Sequence, residues 1–98
     1  MIVNNLDDNQ TEIVNNLIAI GCSVQRLNKV KCGCPDILVG RYGHNYLFEI
    51  KNPKVIPSKR ALTPAEKKWH ESWRGKVYIV ETFEEILNIM EGKKHGKQ

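Results

Sequence analysis

Between residues 9 and 20 the apolar positions Ile13, Val14, Leu17, Ile18 and Ile20 recur at spacings of one, three and four. That is the period of one helix face, and Gly21 follows where a C-cap glycine belongs. Ser23 to Leu27 reads as a short strand, and Asn28 to Pro35, with its Gly and Pro, as a loop. Asp36-Ile37-Leu38-Val39-Gly40 is a short apolar run, predicted to be a buried strand. Arg41 to His44 reads as a hairpin turn, and Asn45 to Lys51, rich in aromatic and branched residues, as the return strand. Asn52 to Leu62 carries two prolines and is an exposed loop. Thr63-Pro64-Ala65-Glu66 then combines an N-cap, a proline at N1 and a glutamate at N3, a strong helix start. Trp69 and Trp73 share a face of this helix, which Gly75 is expected to end. Lys76 to Val80 is a further strand. Thr82-Phe83-Glu84-Glu85 repeats the capping box and opens a helix with Ile86, Leu87, Ile89 and Met90 inward, stopping near Gly92. The order is helix, three strands, helix, strand, helix. It predicts an α/β fold with a mixed central sheet of about four strands and helices on both sides.

The chain has 98 residues, enough for one core, and residues 1–98 are read as a single domain. No apolar stretch approaches the roughly 18 residues of a membrane helix. The first residues also lack a basic region followed by an apolar one, so a protein working inside the cell is expected. The net charge is +4, a mild tilt towards polyanions. Its distribution says more: Lys51, Lys54, Lys59, Arg60, Lys67 and Lys68 gather in one short part of the chain. Residues 93–98 read as a flexible basic tail. Three cysteines, Cys22, Cys32 and Cys34, point to free thiols, and Cys32-Gly33-Cys34 is too close for a zinc knuckle.

The chemistry concentrates in Pro35-Asp36 and, twelve intervening residues later, Glu49-Ile50-Lys51. Side chains alternate along a strand, so Glu49 and Lys51 share a face that Ile50 does not. Counting outwards from the turn near Tyr42-Gly43 puts Asp36 opposite Glu49 or opposite Ile50. In the first register the two carboxylates face one side, roughly 5 Å apart at Cβ. A slip of one residue would part them. Two carboxylates that close repel, and Lys51 offsets only part of their charge. A divalent cation between them makes the arrangement favourable. Mg²⁺ commonly takes one or two carboxylates together with substrate phosphate, and the Ile50 carbonyl is a plausible extra ligand. Such an ion lowers the pKa of a bound water and neutralises charge on a phosphate, while Lys51 orients the water or stabilises the transition state.

A hairpin carrying Pro-Asp and then Glu-x-Lys, after a helix with an acidic residue, resembles the PD-(D/E)xK nuclease superfamily. Leu62-Thr63-Pro64-x-Glu66-x-x-Trp69, followed by Gly75-x-Val77-x-Ile79-Val80 and an acidic helix start, resembles the virus-type replication-repair nuclease domain, VRR-NUC. The resemblance spans roughly residues 9 to 90. It implies a restriction-endonuclease-like core and a Mg²⁺- or Mn²⁺-dependent endodeoxyribonuclease. Asp36, Glu49 and the Ile50 carbonyl would hold the metal, and Lys51 would be the catalytic lysine. Glu12 would complete the site directly or through water. The resemblance further implies branched DNA, such as a four-way junction, as substrate, a homodimer as the working form, and a phage or bacterial setting. Where that family often carries glutamine, this chain has Glu66.

Simpler readings stand beside these. Glu66 is the reciprocal partner of the Thr63 cap. Trp69 and Trp73 are expected in the core. His44 is a solvated turn residue, and His70 and His95 carry no constellation. The loop residues Lys54, Lys59 and Arg60, directly after Lys51, are suited to holding DNA phosphates. The alternative function is a nucleic-acid-binding module that does not cut, and a third is an interaction domain with no nucleic-acid role.

Overall fold

The computed structural model describes residues 5–55 and 61–92, with side chains from residue 9. The chain runs α1 (Asn5–Ala19), β1 (Ser23–Arg26), β2 (Ile37–Arg41), β3 (His44–Ile50), α2 (Pro64–Ser72), β4 (Tyr78–Val80) and α3 (Phe83–Met90). The four strands lie in the order β1-β2-β3-β4. β1–β2 and β2–β3 pair antiparallel, and β4 joins β3 in parallel. This is the expected mixed sheet in the expected element order.

Alternation along the strands sorts the residues onto two faces. Ile37 and Val39 of β2, Phe48 of β3 and Val80 of β4 are buried on one face, with Val24, Tyr46, Ile50 and Tyr78 packed around them. Onto that face α1 presents Ile13, Val14 and Leu17, and α3 presents Ile86. Residues 36, 49 and 51 belong to the other face, where α2 sits.

Local chemistry explains most element ends. α1 closes in a Schellman motif: the Cys22 N–H donates to the Leu17 carbonyl and the Gly21 N–H to that of Ile18. Gly21, at φ +96°, supplies the left-handed residue this closure needs. Both capping boxes form, Thr63 with Glu66 and Thr82 with Glu85.

Four expectations need adjustment. Ile18 and Ile20 lie off the buried stripe of α1, at 55% and 41% exposure. α2 ends at Ser72, not at Gly75, because the extended Trp73 caps it by donating its N–H to the Trp69 carbonyl. Strand β4 begins at Tyr78, so the segment from Lys76 lies outside the ladder. The two tryptophans are not core: Trp69 is half-buried, Trp73 is 45% exposed, and α2 has no fully buried residue.

Candidate active site

β2 and β3 pair with Ile37 opposite Phe48, the register that puts Asp36 next to Glu49. The ladder changes character at that point. The Asp36 N–H donates to the Phe48 carbonyl, and the Asp36 carboxylate Oδ2 accepts the Ile50 N–H at 2.6 Å. A side-chain oxygen thus takes the place of a backbone acceptor, which is why β2 begins only at Ile37. The same bond draws the Asp36 carboxylate onto β3 beside Glu49.

Glu49 lies in the middle of the sheet, paired with Ile79 of β4, and its side chain is 2% exposed. Its Oε2 is 3.4 Å from Lys51 Nζ. Its Oε1 is buried and has no hydrogen-bond donor among the described residues. Burial, then the negative charges of Asp36 and Glu66, push the Glu49 carboxyl up to about 8, against a smaller pull from Lys51. Burial also raises Asp36, although the Ile50 N–H and a hydrogen bond with Glu49 work the other way. Without a cation, the cluster relieves its charge by keeping a proton on Glu49.

Lys51 is fixed at both ends of its residue. Its N–H donates to the Val80 carbonyl, and its own carbonyl accepts from Asn9 Nδ2 at 3.0 Å. Asn9 also donates to the Glu81 carbonyl, so α1 ties β3 to the end of β4. At the side-chain end, Lys51 Nζ donates to Glu66 Oε1 at 2.9 Å. Burial draws the Lys51 ammonium down, but its hydrogen bond to Glu66 and the charge of Glu49 outweigh it and hold it above its ordinary value. Glu66 shows the converse. Burial raises it, yet the Thr63 N–H and Lys51 bring it below its ordinary value.

Glu66 is therefore both the cap partner of Thr63 and a member of the charged cluster. The capping box showed only the first role, and nothing in the sequence pointed to the second. The 28–35 loop closes on the same helix start. Gly33 has φ +79°, and a Cβ there would lie 2.4 Å from the Ala65 carbonyl oxygen. Only glycine fits such an approach. All three cysteines are free thiols, and Cys34 Sγ turns towards the Leu27, Val30 and Pro35 carbonyls.

The structure brings Asp36, Glu49 and Lys51 together and leaves Glu12 apart. Glu12 is exposed on α1, where it lines a groove with Asn16, Glu81 and Phe83. It is absent from the charges acting on Asp36 and Glu49. The physical reason is that α1 packs on the Phe48 face, whereas Glu49 and Lys51 project from the other. Lys54 is exposed in the turn that Asn52 closes by accepting its N–H at 2.9 Å. Lys59 and Arg60 lie outside the described residues, as does the 93–98 tail.

Among the described residues no three His, Cys, Asp or Glu side chains form a complete metal cage. Mg²⁺ does not require one, because it keeps waters and binds through one or two carboxylates plus phosphate. The donor set of Asp36 and Glu49 suits such an ion. The unpartnered buried Glu49 Oε1 is the oxygen that a cation would satisfy.

With this arrangement in hand, a solved structure described as a VRR_NUC domain aligns over 91% of this chain and 97% of its own, with a TM-score of 0.64 and 23% identity. The chain has the fold of a VRR_NUC domain. The fold expected from the sequence resemblance is thus the fold found. Neither a family model nor a curated protein sequence matches the chain. Among the described residues no helix of this VRR_NUC-like chain is long and apolar enough to cross a membrane.

Proposed function

We propose that the chain is a divalent-cation-dependent DNA endonuclease. The single observation that carries this reading is half-buried Asp36 beside buried Glu49, whose Oε1 lacks a donor, faced by a fixed lysine. The VRR_NUC-like fold supports it. Asp36, Glu49 and the Ile50 carbonyl would hold Mg²⁺ or Mn²⁺. When bound, the ion supplies an acidified water and neutralises charge on the scissile phosphate.

The protein's own groups do the rest. Lys51, held by Glu66 on one side and Glu49 on the other, presents a permanent positive charge to the water or to the reacting phosphate. Asp36 is oriented by the Ile50 N–H, so its carboxylate is held in place beside Glu49. The half-closed setting between β3, the 28–35 loop and α2 lowers the local dielectric and strengthens each charge. Lys54, with Lys59 and Arg60 beyond it, would steady the DNA backbone. Branched DNA as substrate and a homodimer as the working form complete the proposal. A four-way junction has two-fold symmetry, and a C₂ pair offers one site to each strand.

The test is incubation with labelled four-way junction, flap and linear duplex DNA, with and without Mn²⁺, with Lys51→Ala alongside. Metal-dependent nicking that Lys51→Ala abolishes while binding persists is the expected result. Binding without cutting in any metal would assign the chain to the binding-module class.

A further inference from the structure

The chain contains two tryptophans: Trp69 stands on α2, and Trp73 is the extended residue that caps its end. Their rings stack with centroids 4.6 Å apart and planes at 16°. They are not packed against the hydrophobic core, and Trp73 keeps 45% of its surface exposed even though one ring face lies on Trp69. A Cβ at Gly75 would lie 3.0 Å from Trp73 Nε1, so the glycine leaves the indole edge uncrowded. Two large stacked indoles outside the core of a small domain call for an occupant.

Helical spacing joins this stack to the charged cluster. Glu66, Trp69, His70 and Trp73 fall at i, i+3, i+4 and i+7, one continuous face. At one end Glu66 holds Lys51, and at the other Trp73 lies about 10 Å further along the axis, roughly three base-pair rises away. The exposed charges of this segment, Lys67, Lys68, Glu71, Arg74 and Lys76, leave a positive balance, the sign that nucleic acid requires, although Lys67 and Lys68 stand off the tryptophan face. Aromatic rings beside a cationic track are how single strands are held without sequence preference, since every base has a π-face.

We propose that the Trp69–Trp73 stack is a platform for an unpaired base of the nucleic-acid strand adjoining the cleaved phosphate. This deepens the nuclease reading and rests on it. A stacking step beside the cutting site would favour DNA whose bases are already unpaired at a branch or end, because a paired base must first leave its own stack.

Because no tryptophan lies elsewhere, intrinsic fluorescence reports on this surface directly. The experiment titrates the full chain with an oligo-dT 20-mer, a blunt fully paired duplex and heparin, in EDTA so that nothing is cut. Saturable quenching by the single strand, absent with heparin and weak with the blunt duplex, is expected. Trp73→Ala should weaken single-strand binding by roughly 5- to 150-fold and leave blunt-duplex binding unchanged. Trp73→Phe should restore most of the loss. Equal quenching by heparin, or unaltered single-strand affinity in Trp73→Ala, would overturn the proposal. So would a change in sedimentation mass on that substitution, which would assign the stack to a second copy of the chain. The readout needs no cleavage. Stacking without cutting in Mn²⁺ would sink the nuclease reading alone, and cutting without stacking would sink this proposal alone.

Discussion

One oxygen, Glu66 Oε1, accepts both the Thr63 backbone N–H and the Lys51 ammonium, each at 2.9 Å. The start of α2 and the Lys51 side chain are therefore fastened to the same atom. Glu66→Gln keeps an acceptor for both donors but removes the charge. It should melt close to the parent protein and bring the Lys51 pKa down. Glu66→Ala loses the reciprocal half of the capping box and should cost about 1 kcal/mol in a thermal or urea melt. It should also lower cleavage more than the glutamine does, because Lys51 is then free to swing.

Asp36 has a structural duty besides its proposed chemical one. Asp36→Ala leaves the Ile50 N–H without its acceptor, and a part-buried donor so orphaned costs about 1–3 kcal/mol. Asp36→Asn retains a carbonyl oxygen for that bond and should recover most of the stability. Neither variant should cut DNA. Urea melts separate the two losses; equal destabilisation by both substitutions would mean the Ile50 bond contributes little.

Glu49 gives stability an unusual pH dependence. Its carboxyl is raised to about 8 in the fold, mainly by burial, well above an unfolded glutamate. Between those two values the folded state carries a proton that the unfolded state lacks, so metal-free stability should fall as pH rises from about 5 to about 8. Glu49→Gln, which cannot ionise, should flatten that decline. Mg²⁺ should reduce it in the parent protein by replacing the proton. Melts across this range in EDTA and in Mg²⁺ make the comparison; a rise in metal-free stability over the same window would contradict the assignment.

The 28–35 loop meets α2 at a point with no room for a side chain. Gly33→Ala combines a left-handed backbone, worth about 1–2 kcal/mol, with a Cβ placed 2.4 Å from the Ala65 carbonyl oxygen. It should destabilise the protein and displace the first turn of α2. Lys51 would then lose Glu66, and cleavage should drop beyond what the lost stability explains. Gly43→Ala is a useful control. Gly43 also has positive φ, but nothing lies within 4 Å of its Cβ position, so only the backbone cost should appear.

The fold was largely legible because local rules and packing agree. Both capping boxes, the Gly21 closure of α1 and the alternating β2–β3 hairpin are written in adjacent residues, and each formed. The tryptophans misled because large aromatic residues four apart on a helix usually mark its buried side, whereas α2 buries none of its residues fully. The Asp36–Glu49–Lys51 grouping followed from strand alternation and one register count. The companions from outside the hairpin did not. Asn9 reaches Lys51 from α1 across 42 positions and Glu66 from α2 across 15, and sequence spacing carries no information on such meetings. Glu12, the acidic residue on the first helix that the family pattern pointed to, is exposed on α1 and is not among the charges acting on the Asp36–Glu49 pair.

The sharing of one divalent ion by Asp36 and Glu49 is most directly tested by calorimetric titration of the intact protein with Mn²⁺ at pH 7, in two buffers of different ionisation enthalpy. The expected result is one site per chain, binding with release of about one proton, the proton Glu49 otherwise holds, and loss of that site in Glu49→Gln. Binding that survives Glu49→Gln, or no binding at millimolar Mn²⁺, would contradict it.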